Sequence, residues 1–257
     1  LGPDINESLK GFAVNKKGEI RIGLGGLKGV GEAAVEGIIE ERRKHGAYAS
    51  VFDLIKRVNQ RVVNKKSLES LAISGAFDFD TNLHRAQYFH ILEGESVTGL
   101  EKIIRFGNIF QSQTANTSNT LFGDLPMMHD IPLPKIADCP TWSLTEILDK
   151  EKEVTGMFLS GHPLDHYRFE MKNYGISTVA EYNLFKEEIE AQAYPTKPFK
   201  LAGLVTGSQH RVSRAGKKFG VLMLEDFSGK MEITLFGDQY VKFANYFETG
   251  NCLYITG

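Results

Sequence analysis

The apolar positions along the chain change period twice. Between Gly31 and about Lys44, Val35, Ile38 and Ile39 recur at the spacing of a helix with one buried face, with Ala34 beside them. Val51–Val58, Lys65–Ile73 and Leu83–Leu92 read as three further helices, and Asn64 is placed to cap the start of the second of these. Residues 111–120 break the pattern: apart from Ala115 they are polar and uncharged, offer nothing to bury, and read as a linker. Prolines 126, 132, 134 and 140 extend the irregular stretch. A helix resumes where Ser143 and Glu146 form a capping-box pair ahead of Leu144, Ile147, Leu148, Glu151 and Val154. From about Lys200 the period falls to two. Phe199–Gly207, Phe219–Glu225, Met231–Phe236 and Cys252–Thr256 read as strands, Asp226–Gly229 as a turn and Asp238–Phe247 as a short helix.

This order predicts an α+β chain, with an all-α domain followed by a linker and a small β domain. Strand–strand–strand–helix–strand is the order of a five-stranded oligonucleotide-binding barrel without its last strand, which leaves a sheet edge open. The all-α part carries a second signature. Leu27-Lys28-Gly29-Val30-Gly31, followed by an amphipathic helix, has the spacing of a helix-hairpin-helix. Glycine leaves backbone bare for close approach, and a tight turn at a helix N-terminus aims successive N–H groups outward at a phosphate oxygen. Lys28 adds positive charge and Val30 anchors the turn in the core. A looser second copy spans Arg57–Leu68, where Lys65 and Lys66 open a helix; it has no glycine pair, and an ordinary helix connection explains it equally well. Amide–phosphate contacts of this kind do not read base sequence.

Charge reinforces the reading only when it is resolved along the chain. The net charge of −2 argues against a nucleic-acid binder. Yet residues 10–66 carry thirteen basic and six acidic residues, net +7, and residues 67–170 carry seven and fifteen, net −8. A local cluster in the β region, Lys200, Arg211, Arg214, Lys217 and Lys218, has no acidic residue among it. Arg211–Lys218 is expected on the turn after the first strand, with Gly216 at its tip. Phe219 follows, placed either to stack on a base or to face the core.

Other chemistries fit poorly. His162 and His166 have the i, i+4 spacing of a metal pair but no third ligand nearby. Asp78 and Asp80 lie in a loop signal and read as turn or cap residues. No phosphate-binding GxxxxGK[ST], HExxH or GxSxG motif is present, so no catalytic residue, metal site or cofactor is assigned. Cys139 and Cys252 lack zinc-ligand spacing and read as reduced thiols of a cytoplasmic protein. The N-terminus does not resemble a signal peptide and no apolar run is long enough for a membrane span. The strand at the chain's end suggests a segment of something longer.

Five stretches in order resemble one family, the alpha (catalytic) subunit of bacterial DNA polymerase III. They are Pro3–Ser8 (PxxNxS), Ile22–Gly31 (GLGAIKGVG), Leu68–Asp78 (LExLIxxGAFD), Glu151–Asp165 (EKExLGxYLSGHPLD), and the barrel strands around Leu201–Val205 and Leu224–Gly229. The resemblance implies the end of the fingers region over 1–22, a tandem helix-hairpin-helix domain over 23–110, a polar linker over 111–140, a helical connector over 141–195 and the barrel over 196–257. It implies a clamp-binding peptide at Ser118-Asn-Thr120-Leu121-Phe122, where Ser118 replaces glutamine and Thr120 replaces Ser or Asp. It also implies double- and single-stranded DNA, a sliding clamp and other polymerase III subunits as partners. The polymerase carboxylates and the Mg2+ they use lie outside these residues in the family, so the segment is expected to bind DNA without synthesising it. The competing expectation is a protein-interaction scaffold with no DNA contact of its own.

Overall fold

The computed structural model describes residues 1–15, 17–118, 131–191 and 199–257, and the chain divides into two compact units, Leu1–Gly161 and His162–Gly257. The first unit begins with a small hairpin, β1 (Ala13–Val14) against β2 (Ile20–Arg21), and a tight turn over Leu24–Gly26. Helices α1 (Glu32–His45), α2 (Val51–Arg57), α3 (Lys65–Ile73), α4 (Arg85–Phe89), α5 (Gly99–Ser118) and α6 (Leu144–Thr155) follow. One core takes Val35 and Ile38 from α1, Leu54 and Ile55 from α2, Leu68 and Leu71 from α3, and Ile103 and Phe106 from α5. The helix starts are fixed locally. Asn64 accepts from Ser67 N at 3.0 Å, and Ser143 and Glu146 close the expected capping box.

Two elements of this unit depart from the sequence pattern. The helix expected over Leu83–Leu92 is only α4. It starts at a His84–Gln87 capping box, and Ile91 leaves the helix to bridge Thr98. The polar run from 111 was expected to be linker, but residues 111–118 continue α5. The reason is visible in its side chains. Leu100, Ile103 and Phe106 bury the front of the helix. The Gln111 amide then donates to the carbonyls of Ile55, Lys56 and Val58 at 3.1, 3.2 and 2.8 Å, capping the C-terminal end of α2. Ser112 and Thr114 turn their hydroxyls back onto the carbonyls of Ile109 and Phe110, so their polarity is absorbed within the helix.

A buried ionic knot ties α6 to this core. The Glu151 side chain is fully buried and accepts from Arg85 Nη1 at 2.7 Å, Leu159 N at 2.9 Å and Ser160 N at 2.8 Å. Arg85 in turn grips Asp78. Burial alone would raise the carboxyl pKa of Glu151, but Arg85 and the Ser160 and Leu159 donors outweigh it and hold it below the usual range. Asp80 is a cap, as expected: its carboxylate accepts from Val51 N at 3.0 Å at the start of α2.

The second unit opens with a turn of 3-10 helix over Pro163–Tyr167, then α7 (Arg168–Asn173) and α8 (Val179–Ala191). Strands β3 (Lys200–Val212), β4 (Lys218–Glu225), β5 (Lys230–Phe236) and β6 (Cys252–Thr256) form an antiparallel sheet in the order β5-β4-β3-β6, with α9 (Gly237–Phe243) before β6. The sheet curls into an open half-barrel, an incomplete OB-fold, and the chain as a whole is α+β. Its inner face carries Val205 and Leu222, and Phe247 packs against them. Gly220 is required there, because a Cβ at that position would lie 2.6 Å from Tyr240 and 2.7 Å from Phe247, which plug the end of the half-barrel. Asp226 organises the β4–β5 turn, accepting from Ser228 N at 2.7 Å and Gly229 N at 3.0 Å, and also from Val179 N at the start of α8. The first strand runs to Val212 rather than ending at Gly207, with a bulge between Val205 and Gly207 that lets it pair with β4 throughout.

Candidate nucleic-acid interface

In the first unit the glycine hairpin sits at the start of α1, whose N-cap is Gly31. Leu27 and Val30 are buried and hold the turn to the core, as the sequence pattern predicts. Gly29 has φ +90°, and a Cβ there would approach Ser70 Oγ to 2.7 Å. The Gly29 carbonyl accepts from Ser67 Oγ at 3.2 Å. Glycine at 29 is therefore demanded by the fold, because the turn is pressed against α3. Gly31 is different. Its φ is −71° and a Cβ there would meet nothing within 4 Å, so its backbone simply faces open space.

The hairpin does not present every amide outward. Lys28 N donates to Val154 O at 2.8 Å, and Val30 N to Leu27 O at 3.2 Å. Among the described residues, the N–H groups of Gly29 and Gly31 take no protein acceptor, and both glycines are exposed. With the first turn of α1 behind them, these donors stand at the positive end of the helix dipole, which suits an anion.

The lysines sort themselves by geometry. Lys28 is exposed, and among the described residues it has no ion pair. Lys66 lies beside the turn, its Cε 3.4 Å from where a Gly29 Cβ would stand. Lys65 is committed elsewhere, to Glu101 at 2.7 Å and Glu69 at 3.7 Å, and that pairing raises its pKa. Sequence reasoning missed Lys10. Its ammonium bonds Glu32, the first residue of α1, and Glu36 at 3.1 Å. The hydrogen bond from Lys10 lowers the pKa of Glu32, and the pair cancels a negative charge at the mouth of the hairpin. The signal was spatial, since 22 residues separate Lys10 from Glu32.

In the second unit Arg211 was expected on the turn; it lies instead within β3, opposite Phe219. Arg214 and Lys217 occupy the turn, where Gly216 has φ +74°, and Lys218 opens β4. Phe219 lies on the outer face, alternating with the buried Gly220 and Leu222, and stacks on Phe236 across the β4–β5 pair. It does not enter the core. His162 accepts from Leu164 N at 3.1 Å as the cap of the Pro163–Tyr167 turn, which gives it a structural task. Among the described residues no three His, Cys, Asp or Glu side chains come together as a metal site, and no helix is long and apolar enough to cross a membrane. Thr120, Leu121 and Phe122 lie outside the described residues, and Ser118 is the last residue of α5.

Comparison with known proteins defines the class first. Residues 1–88 match the family described as helix-hairpin-helix motif, and residues 199–257 match the OB-fold nucleic acid binding domain. Over its whole length the chain is then homologous to the DNA polymerase III alpha subunit. It is 34% identical to that subunit from Escherichia coli K12 over all of this chain and 21% of the relative. It is 31% identical to that of Pasteurella multocida (99% of this chain, 20% of the relative) and 32% to that of Borreliella burgdorferi (100% and 21%). The chain thus spans about a fifth of the length of the curated relatives it matches.

Proposed function

We propose that this chain is a DNA-binding segment of a bacterial replicative DNA polymerase that contacts duplex and single strand without reading base sequence. The observation that carries the reading is the exposed Gly29–Gly31 hairpin at the start of α1, with its outward N–H groups and with Lys28 and Lys66 beside it. Its amides meet phosphate oxygens of a duplex. The basic β3–β4 hairpin, with Arg211, Arg214, Lys217, Lys218 and Phe219, meets a single strand. The segment itself performs no nucleotidyl transfer. Mg2+ and the polymerase carboxylates belong to the parts of the relatives that this chain does not span. The Ser118–Phe122 peptide docks on a sliding clamp through Leu121 and Phe122, other polymerase III subunits complete the assembly, and the site of action is the cytoplasm. The stretches 1–22, 23–110, 141–195 and 196–257 remain proposed domain divisions of this reading, with the start of the linker moved from 111 to beyond Ser118, where α5 ends.

Gly31 provides the discriminating experiment, because its backbone angles suit any residue and its surroundings are open. Gly31→Leu should leave the circular dichroism and melting of the chain intact while burying the exposed amides, and duplex affinity should fall by an order of magnitude. Lys28→Gln should reduce the slope of log K against log salt by about 0.9, one phosphate's worth of released counterion. Duplex binding that is insensitive to both changes would leave the hairpin a plain helix connector and favour the scaffold alternative.

A further inference from the structure

The glycine hairpin is closed by its own hydrogen bond, from Val30 N to Leu27 O at 3.2 Å, with Gly29 at φ +90° as the third residue of the turn. That bond fixes the shape of the turn and leaves open how the turn tilts against the unit that carries it. Leu27 and Val30 anchor it through buried apolar side chains, which set no direction for its backbone. The direction comes from two polar contacts made by neighbouring residues of the turn, each to a different helix.

The first contact runs to α3. Ser67 is 1% exposed, and its hydroxyl donates to the Gly29 carbonyl at 3.2 Å. The helix does not need that hydroxyl for its own start, because the cap of α3 is the bond from Ser67 N to Asn64 Oδ1. The second contact runs to α6. Lys28 N donates at 2.8 Å to Val154 O, one of the last carbonyls of α6, which lack a donor inside their helix. One N–H and one C=O of the turn thus face inward and are held. The N–H groups of Gly29 and Gly31, which take no protein acceptor among the described residues, are kept outward as a consequence. The two helices are themselves spaced by Arg85, which donates to Ile73 O at the end of α3 at 3.4 Å and to Glu151 of α6 at 2.7 Å.

We infer that Ser67 is a positioning residue for duplex binding: with the Val154 carbonyl it sets the tilt of the hairpin, so that the Gly29 and Gly31 N–H groups meet a phosphate without rearrangement. The inference rests on the proposed contact between the hairpin and duplex phosphates, and adds how that contact is kept aligned. Ser67 itself touches no DNA. A turn that holds the right tilt only part of the time binds with its affinity reduced by that fraction. One ordinary hydrogen bond shifts such an equilibrium about fivefold, which bounds the effect of losing Ser67 Oγ.

The test uses the full chain and a labelled duplex, read by fluorescence anisotropy well below the melting temperature and across a salt series. Ser67→Ala should weaken duplex binding about two- to fivefold. The slope of log K against log salt should stay the same, because no cation is removed. A second variant, in which an ester oxygen replaces the amide N–H of Lys28, deletes the donor to Val154 O and keeps the lysine charge; its loss should be of the same kind. In both, the Gly31 amide resonance of glycine-labelled protein should move although neither change touches that residue, a response that reduced stability alone does not produce in the folded state. If the wild-type chain binds the duplex and Ser67→Ala binds it as tightly, or loses affinity with an altered salt slope, or leaves the Gly31 resonance in place, the positioning role is overturned. Should Ser67→Ala fail to fold, the ester variant decides by the same criteria. A wild-type chain that does not bind the duplex overturns the proposed function of the hairpin, and this inference with it.

Discussion

Glu151 allows the sharpest test of how the first unit is held together. Its side chain is fully buried, and that of Arg85 is only 14% exposed. Removing one partner of such a pair typically costs about 3–5 kcal/mol, mostly from the charge left behind. Here Arg85 keeps Asp78 at 2.6 Å, so the loss in Glu151→Gln belongs at the low end, about 3 kcal/mol. Glutamine still offers one oxygen to Leu159 N and Ser160 N. Glu151→Leu does not, and leaving these two amides unsatisfied adds about 1–3 kcal/mol each where they stay dry. The order of stability should therefore be wild type, Gln, Leu. Adding Arg85→Met to Glu151→Leu should recover only the charge part, because the amides remain orphaned. Urea unfolding followed by tryptophan fluorescence reads this unit specifically: the chain's single tryptophan, Trp142, stacks on Phe89 with centroids 5.5 Å apart. The pH dependence supplies an internal control. The folded carboxyl has a pKa below its ordinary 4.5, so its stabilisation is complete above that value and disappears as pH falls through the lower folded value. The gap between wild type and Glu151→Gln should close across that acid window. A Gln variant within about 0.5 kcal/mol of wild type at neutral pH, the range of an ordinary surface change, would refute the reasoning.

Two further outcomes follow from the geometry. Lys10→Ala should weaken duplex binding several-fold at low salt with no change in melting temperature, because it leaves Glu32 and Glu36 uncompensated beside the hairpin; unchanged affinity in an anisotropy titration would show that the two carboxylates do not face the bound phosphate. His162 should make the Pro163–Tyr167 turn sensitive to mild acid. Its ring accepts a backbone N–H as the neutral form, and burial, opposed by Asp165 and Glu225, lowers its pKa from 6.5. The unfolded chain then takes up the proton first, so stability is full above pH 6.5 and falls as pH drops from there toward the folded value. His162→Gln should flatten that part of the stability profile, and an unaltered slope would count against the cap.

Elements whose cause is local were legible from sequence alone. Lys65–Ile73 and Cys252–Thr256 have the bounds their patterns predict, because Asn64 caps one and a short run of apolar, aromatic and β-branched residues marks the other. The incomplete OB order was legible for the same reason. Residues 111–118 were not, because a polar helix without an apolar stripe is stabilised by something distant: three carbonyls at the end of α2 meet Gln111. The hairpin itself could be read from its glycines, but the division of labour between them could not. Gly29 is fixed by Ser70 on α3, and Gly31 is left open. The same holds for the charges. Lys65 and Lys66 are adjacent in sequence, yet one is spent on Glu101 and the other stands at the turn. Lys10 was missed because it acquires its place through pairing with Glu32.

The stretches that carry the strongest resemblance therefore divide by physical task. Gly75, Asp78, Glu151, Leu159 and Ser160 come from two separate motif stretches, and Arg85 lies outside both. Asp78, Glu151, Leu159 and Ser160 all bond through one buried knot centred on Arg85 and Glu151, and Arg85 Nη2 packs 2.2 Å from where a Gly75 Cβ would stand. Residues 224–229 likewise close the β4–β5 turn and start α8 through Asp226. These motifs are explained by folding alone and need no ligand. The hairpin is different: packing accounts for Leu27, Gly29 and Val30, but nothing in the fold requires Gly31 to be bare or Lys28 to stand unpaired among the described residues. Where a pattern holds more than the fold demands, the surplus is the part to assign to binding. Here the surplus is an open backbone and a free cation at the positive end of α1.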